Sequence, residues 1–145
     1  MAESVMVSVI CLAYNHEKYI RKTLEGFVSQ KTNFPFEILI NEDASTDGTA
    51  AIIREFDKRY PGLFRVDYQS ENQYSKHVHL TQMLIDKARG KYFAFCEGDD
   101  YWIDENKLQK QVDYLENHAD CTFCIHNSKR VNDYDDYLSD ILVSQ

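Results

Sequence analysis

Three carboxylates stand within four residues at Glu97-Gly98-Asp99-Asp100, directly after the apolar run KYFAFC. Carboxylates packed this closely repel one another and lose solvation, and a divalent cation relieves both effects. Their oxygens suit magnesium or manganese, which complete their coordination with water and substrate phosphates. Taken alone, the segment is equally well explained as a solvated acidic turn that caps the following helix.

A second polar segment, Glu42 to Gly48 (EDASTDG), also follows an apolar run. In it, Asp43 could accept a hydrogen bond from the N–H of a nucleotide base. Ser, Thr and Asp are also the preferred helix-capping residues, so a capping turn is the other interpretation. The two interpretations are compatible if Asp43 points at a ligand and Asp47 at the helix.

Other residues near these segments have two interpretations each. Tyr14, in the segment after the first apolar run, either stacks on a base or closes the core. Lys76 could neutralise a phosphate, although most exposed lysines have no such role. His77 and His79 fall where a helix should begin and are expected to diverge rather than share a metal. Tyr101-Trp102 forms either a sugar platform or a core anchor.

Strands and helices alternate along the chain and would position these segments. Apolar runs predict strands over residues 5–12, 36–40, 63–68, 91–96 and 121–125. Apolar residues at helical spacing predict helices around residues 20–28, 52–56, 80–88 and 108–115, with Asn15 and Asp104 as caps of the first and last. This order predicts a mostly parallel α/β sheet, in which ligands bind at the carboxyl ends of the strands. The polar segments follow those ends.

The composition limits the classes of protein that this chain can be. Its 145 residues, 43% hydrophobic, predict one globular domain, and a net charge of -8 argues against a nucleic-acid partner. The sequence contains no apolar run of 18 residues, so no membrane span is predicted. The N-terminus has no signal-peptide pattern. Two of the four cysteines, Cys11 and Cys96, are expected as buried thiols, and Cys121 and Cys124 as reduced thiols rather than half of a zinc site.

Three segments together resemble the family-two glycosyltransferases, inverting enzymes with the GT-A fold. They are VSVICLAYN (residues 7–15), EILINEDASTDGT (37–49) and ARGKYFAFCEGDDYW (88–102), in that order, and the resemblance covers roughly residues 5 to 125. It implies a Rossmann-like three-layer α/β/α architecture with a mostly parallel central sheet. It also implies a nucleotide-sugar-binding core at residues 1–126 and, at 127–145, a tail that begins an acceptor-binding half.

The resemblance also implies roles for residues at matching positions. Ala13 and Tyr14 would line the nucleotide pocket, and Asp43 would pair with uracil or another base. Glu97-Gly98-Asp99 occupies the place of the DXD motif, so Asp99, with Asp100, would hold a manganese or magnesium ion that bridges the diphosphate. Two departures stand out: Glu97 replaces the first Asp, and Ala44 replaces a usual glycine, so that the turn is predicted to avoid positive φ.

The implied reaction is transfer of a sugar from a nucleotide-diphosphate donor, a UDP-sugar by preference, to a hydroxyl of a glycan or lipid-linked acceptor in surface polysaccharide or glycan synthesis. The catalytic base is expected beyond residue 145, and no motif identifies any tail carboxylate as that base. The protein is expected in the cytoplasm or at the inner face of the membrane. A non-catalytic sugar-nucleotide-binding module is the alternative. A nucleotidyltransferase would carry a Gly-rich basic loop where this chain has LAYNHEKY, and no G-x-G-x-x-G supports a dinucleotide-dependent oxidoreductase.

Overall fold

The computed structural model describes residues 4–142. Residues 1–3 of the predicted core and residues 143–145 of the predicted tail lie outside the described residues. The chain divides into two compact units, with the division between Lys110 and Gln111. The predicted boundary at 126/127 therefore stays a prediction. Within residues 4–142, no helix is both long and apolar enough to cross a bilayer.

A four-stranded parallel sheet forms the centre of the first unit. Its strands are β1 (Val7–Ala13), β2 (Phe36–Glu42), β3 (Phe64–Tyr68) and β4 (Tyr92–Phe95), in the order β3-β2-β1-β4. β1 and β2 are buried along nearly their whole length, because a central parallel strand is covered on both faces. This burial explains why their sequences are nearly continuous apolar runs.

Helices cover both faces of this sheet. They are α1 (Ile20–Val28), α2 (Thr49–Arg59) and α3 (Leu80–Ile85), with α4 (Lys107–Asn117) after β4. Right-handed crossovers from β1 through β2 to β3 place α1 and α2 on one face, and the return to β4 places α3 on the other. Leu84 of α3 packs against Ile10 and Leu39. The predicted three-layer α/β/α architecture is confirmed.

The strand order reverses at β1, because the chain moves from β1 to β2 and β3 on one side and then places β4 on the other side. At such a reversal the connections leave the strands in opposite directions, and a crevice opens at the carboxyl ends. The crevice of this sheet therefore lies at the ends of β1 and β4, where the acidic segment follows β4.

Two predictions about the helices and strands are wrong. Asn15 does not cap α1, which begins at Ile20; Asn15 has a φ of 54°, and its side chain accepts a hydrogen bond from Thr46 N instead. Residues 121–125 form no strand, because within the described residues their backbone has no ladder partner. The second unit instead contains an antiparallel hairpin of β5 (Ser128–Val131) and β6 (Tyr137–Ile141).

The four cysteines are free thiols, with Cys11 and Cys96 buried as predicted and the other two half-buried. Burial raises the pKa of the Cys96 thiol to about 12, and the neighbouring Asp100 carboxylate adds to the rise. Burial likewise holds the pKa of Cys11 well above its usual value. Both thiols are therefore protonated and unreactive near neutral pH.

Candidate functional site

Two consecutive carbonyl groups at the end of β1 anchor the polar segments on either side of it. Leu12 O accepts a hydrogen bond from Gly98 N at 3.0 Å, and Ala13 O accepts one from Asp43 N at 2.9 Å. Successive carbonyls of a strand point to opposite neighbours, so one bond reaches the β4 side and the other the β2 side. The acidic segment and the Asp43 segment therefore meet at the same edge of the sheet.

The loop after β1 is bonded to the loop after β2. Asn15 N donates to Ser45 Oγ at 3.0 Å, and Thr46 N donates back to Asn15 Oδ1 at 2.8 Å. Glu17 N donates to Asp47 Oδ2 at 3.1 Å. These exchanged bonds hold the two loops as one rigid rim above the sheet.

Asp47 also bonds the start of α2, as the capping interpretation predicted. Its Oδ1 accepts from Thr49 N at 2.9 Å and from the Thr49 hydroxyl at 2.6 Å. Burial raises the pKa of Asp47, but the hydrogen bonds from Thr49 and from Glu17 N outweigh burial and leave the pKa below its usual value. Asp47 is therefore an ionised capping residue.

The prediction that the turn at Ala44 avoids positive φ is wrong, because Ala44 has a φ of 59°. The chain reverses directly after β2, and the reversal returns Ser45 N to the side chain of Glu42, whose Oε1 accepts its hydrogen bond at 2.8 Å. The reversal therefore uses the left-handed region even without the usual glycine.

Asp43 connects the end of β2 to the loop that follows β3. Its side chain is only 2% exposed. Oδ1 accepts a hydrogen bond from Gln73 N at 2.8 Å, and Oδ2 accepts one from Tyr74 N at 3.0 Å. Both carboxylate oxygens therefore hold main-chain N–H groups of residues 73 and 74.

A cleft of about 530 Å³ opens between this loop, the end of β1 and α3. Its lining is mostly apolar, with hydroxyl, amide and imidazole groups at intervals, and comprises Leu12, Tyr74, Val78, His79, Leu80, Thr81, Gln82 and Ile85. A cleft of this size and character suits a small organic ligand.

The acidic segment forms a turn whose main chain is fixed from three directions. Asp100 N donates to Glu97 O at 3.1 Å, and the buried Thr23 hydroxyl of α1 lies 3.1 Å from Gly98 O and 2.6 Å from Asp100 O. A Cβ added to Gly98 would stand 2.6 Å from Nδ1 of His16. The glycine is therefore required by close packing against the loop after β1.

The carboxylates of this turn are exposed while Gly98 is buried. Partial desolvation, followed by repulsion from Asp99 and Asp100, raises the pKa of Glu97. Desolvation and then Asp99 raise the pKa of Asp100. Glu97 and Asp100 are therefore harder to ionise, and a cation shared between carboxylates relieves this effect.

No group of three or more His, Cys, Asp or Glu side chains within residues 4–142 is arranged to enclose a metal ion. A magnesium-type ion does not need such a cage when one or two carboxylates and the phosphates of a substrate complete its coordination. The exposed carboxylates of Asp99 and Asp100 fit that kind of site, with Glu97 beside them.

The remaining predicted residues lie at different depths around the edge. Ala13 is buried and contributes its carbonyl, whereas the side chain of Tyr14 is 42% exposed. Lys76 forms an ion pair with Glu71. His77, with a φ of 60°, and His79 lie on either side of Val78 ahead of α3 and belong to no metal-holding group of the described residues.

Tyr101 and Trp102 have different environments in the structure, so the two interpretations of this pair apply to different residues. Trp102 is buried, and its ring packs on Phe27 of α1 with centroids 4.8 Å apart. Lys107 Nζ lies 4.4 Å from the centre of the Trp102 ring. Trp102 is thus a core anchor, whereas Tyr101 is half-buried beside Lys22.

Two residues that the sequence did not single out, Thr23 and Tyr74, contribute to the edge, together with His16 of the segment after β1. Thr23 lies on an otherwise apolar helix face, and that exception is a signal that sequence reasoning could have used. The contacts of His16 and Tyr74 depend on loop geometry and had no such signal.

Comparisons with known proteins agree with this architecture. A protein of Mycobacterium tuberculosis is 48% identical over 120 residues, which cover 83% of this chain and 34% of the relative. The UDP-Glc:alpha-D-GlcNAc-diphosphoundecaprenol beta-1,3-glucosyltransferase WfaP of Escherichia coli is 35% identical over 113 residues, or 77% of this chain and 41% of WfaP. The chain thus spans between a third and two-fifths of the length of these relatives.

Among solved structures, residues 1–349 of Staphylococcus aureus TarS in complex with UDP match with a TM-score of 0.68 and 27% identity, over 79% of this chain and 33% of that one. The sequence model of the family described as Glycosyl transferase family 2 matches residues 8–142. That match covers nearly the whole chain. The chain therefore belongs to glycosyl transferase family 2.

Proposed function

We propose that this chain binds the donor of a metal-assisted glycosyltransferase, a nucleotide-diphosphate sugar. The observation that carries the proposal is the pair of carbonyls at the end of β1, which bring the Asp43 segment and the acidic turn to one edge of the sheet. That edge is the topological switch point, where α/β sheets bind nucleotides. Membership of the family favours this proposal over the non-catalytic binding module.

The donor extends from the Asp43 side of the edge to the acidic turn. Its base lies at Ala13, Tyr14 and Asp43. These residues are next to the mostly apolar cleft, because Leu12 precedes Ala13 and Tyr74 N bonds to Asp43, and both Leu12 and Tyr74 line the cleft. Its diphosphate lies toward Gly98 and Asp99, and Lys76 neutralises phosphate charge after leaving Glu71. UDP is the preferred nucleotide, because WfaP is named for a UDP-Glc donor and TarS was solved with UDP.

Asp99 and Asp100 hold a manganese or magnesium ion together with the diphosphate oxygens, and Glu97 supports the site. The ion supplies Lewis-acid stabilisation of the charge that builds on the leaving diphosphate. The Thr23 hydroxyl bonds to main-chain carbonyls of the turn. It therefore fixes the backbone that carries the carboxylates beside the ion. The hydrogen bond from Gly98 N to Leu12 O keeps the turn close to β1, and the absence of a side chain at Gly98 leaves room for His16.

The acceptor is a hydroxyl of a glycan or lipid-linked sugar, attacked with inversion, and the pathway is the synthesis of a surface polysaccharide or glycan. The base is a carboxylate that no motif of this sequence identifies. The name of WfaP includes a diphosphoundecaprenol-linked acceptor. This supports a lipid-linked acceptor here, and with it a location in the cytoplasm at the inner face of the membrane.

Replacement of Asp99 by Asn tests the proposal. The Asp99→Asn variant keeps the fold but loses the charge that holds the cation, so we expect manganese-dependent UDP binding to weaken by at least about 100-fold. Calorimetric titration of UDP with and without manganese measures the loss. Asp120→Asn, which removes an exposed carboxylate from the second unit, is the matched control and should bind as the wild type does. Equal affinity in the Asp99 variant would refute the assignment.

A further inference from the structure

The segment that carries the acidic turn lies along α1 and its C-terminal end. A Cβ added to Gly26 would stand 3.0 Å from Trp102 O, so the two backbones are in close contact there. Further along, the Gln30 amide nitrogen donates to Asp104 O at 2.9 Å, and the amide oxygen accepts from Leu108 N at 3.0 Å. The chain from the turn to the start of α4 is therefore fixed along the length of α1.

Thr23 is the residue of α1 that bonds the turn itself. Its hydroxyl lies 2.6 Å from Asp100 O and 3.1 Å from Gly98 O, the carbonyls of the residues on either side of Asp99. A threonine inside a helix commonly bonds the carbonyl four residues before it. Here that carbonyl, Tyr19 O, is 3.5 Å away. Because the contact with Asp100 O is the shortest of the three, the hydroxyl serves the turn rather than its own helix.

The contact between Thr23 and the turn is shielded from solvent. Thr23 is only 1% exposed, and Gly98 is buried. A valine at position 23 would fill nearly the same volume and would leave the carbonyls without their donor. The side chains of Asp99 and Asp100 are exposed, so the directions in which they leave the turn depend on the backbone that Thr23 holds.

We infer that Thr23 is a positioning residue that makes the cation site favour magnesium over calcium. The inference rests on the proposed function and adds to it. Magnesium requires a nearly ideal octahedral geometry, whereas calcium accepts more oxygen ligands in flexible arrangements. A backbone held on both sides of Asp99 suits the stricter ion, whereas a backbone that can move suits calcium as well.

The affinity for UDP in saturating magnesium and in saturating calcium, measured by calorimetry, tests this inference. Thr23→Val removes the hydroxyl at nearly constant volume. In magnesium we expect UDP binding to weaken about tenfold, a loss typical for removal of a group that orients metal ligands. In calcium the change should be less than about twofold, because calcium tolerates a turn that moves. Thr23→Ser keeps the hydroxyl and should restore the wild-type ratio of the two affinities.

Two control variants separate positioning from stability. Thr32→Val removes another threonine hydroxyl that bonds a main-chain carbonyl, Phe34 O at 2.7 Å, outside α1 and the acidic turn. Gln30→Met removes a buried amide that joins the end of α1 to the same segment beyond the turn. Gln30→Met should lower the midpoint of urea denaturation, and both controls should keep the wild-type ratio of UDP affinity in magnesium to that in calcium.

Hydrogen exchange in the metal-free protein gives a second measurement, which needs no ligand. Asp100 N donates to Glu97 O and closes the turn. If Thr23 holds the turn before a cation binds, the Asp100 amide should be protected in the wild type and exchange at least about tenfold faster in Thr23→Val. If Thr23→Val does not fold, the wild type alone decides: a protected Asp100 amide supports the inference, and an unprotected one overturns it.

Failure of the inference and failure of the proposed function give different results. If the wild type binds none of UDP, GDP and dTDP in either cation, the proposed function fails and the inference fails with it. If the wild type binds UDP but Thr23→Val keeps the ratio between magnesium and calcium, the inference is overturned and the proposed function stands. An equal loss of affinity in both cations has the same meaning, because it shows that Thr23 contributes to stability alone.

Discussion

At the scale of single residues, Ala44 adopts a conformation that its side chain disfavours. Its φ of 59° lies in the left-handed region, where a Cβ approaches the following carbonyl at a cost of roughly 1–2 kcal/mol. The cost is tolerated because the turn also places Ser45 N on Glu42 and Asp43 beneath the loop after β3. Backbone strain of this kind is concentrated at functional edges.

Replacing Ala44 by Gly should therefore stabilise the protein. We expect the free energy of unfolding to rise by about 0.5–1 kcal/mol, because the relief of strain exceeds the added entropy of the unfolded chain. Urea denaturation measures the change. The matched control is Ala51→Gly in α2, where the backbone is helical and the side chain exposed, and it should lower the free energy by about 1 kcal/mol. A lower free energy of unfolding for Ala44→Gly than for the wild type would contradict the claim that Ala44 is strained.

At the scale of elements, a buried carboxylate connects the strands at the edge opposite the site. Glu37 of β2 accepts hydrogen bonds from the Ser8 hydroxyl of β1 at 2.8 Å and from Arg89 Nη2 at 2.6 Å. Arg65 of β3 lies 3.3 Å away. Burial raises the pKa of Glu37, but the hydrogen bonds from Arg89, Ser8 and Arg65 outweigh burial and leave the pKa below its ordinary value of 4.5.

Glu37→Gln should lower the free energy of unfolding by about 2 kcal/mol at pH 7. The figure is below that for a fully buried ion pair, because both guanidinium groups are more than a third exposed and solvent screens them. A depressed pKa contributes stability above the unfolded value and loses it as pH falls through the folded value, so the gap between variant and wild type should shrink below about pH 4.5. Urea denaturation of both proteins at pH 7 and pH 4 measures the difference in their free energies of unfolding.

Glu25→Gln on α1 is the control for this change, because its carboxylate is exposed. We expect it to alter stability by less than about 0.5 kcal/mol at either pH. A Glu37 variant whose deficit is the same at both pH values would show that the loss is steric rather than electrostatic.

At the scale of the whole molecule, the two compact units differ in how much of their regular structure is buried. The first has a four-stranded sheet whose central strands are buried. The second contains a two-stranded hairpin, and every residue of β6 is exposed. A hairpin of two strands is marginal in water by itself. Stability should therefore differ between the units.

Hydrogen exchange measures that difference directly. Amides of β1 and β2 should exchange at least about a hundredfold more slowly than those of β5 and β6, because the latter open without unfolding the sheet. β3, at the sheet edge, is the internal reference. A change in protection near residue 126 would support the predicted division into 1–126 and 127–145, whereas a change near residue 110 would support the compact units. Uniform protection along the chain would contradict both.

The fold could be predicted from the sequence because strands that are buried on both faces of a sheet are rich in apolar residues. β1 and β2 each contain a run of apolar residues, so their existence and length could be inferred to within two residues. Residues 121–125 were also apolar, but a strand needs a partner, and the pattern of one segment says nothing about its neighbour. Asn15 has the right chemistry for a cap, yet its side chain bonds Thr46, a contact across 31 residues that no local pattern encodes.

The site was predictable where it follows a strand and unpredictable where it depends on a loop. The positions of Asp43 and Asp99 follow from the parallel sheet, because strand ends share an edge. The hydrogen bonds of Asp43 to the N–H groups of residues 73 and 74 use main-chain donors, which every residue except proline carries. Side-chain identity therefore could not reveal them.

The end of β1 has a consequence for redesign. Leu12 and Ala13 hold the flanking loops through neighbouring carbonyls, so inserting or deleting one residue in this strand would exchange their directions and disturb both loops together. If the proposed function holds, the donor preference and the cation site cannot be altered separately by editing that strand. On the proposed function, directed evolution toward another sugar nucleotide should instead vary residues 70–76, because changes there leave the end of β1 and its hydrogen bond to Gly98 N in place.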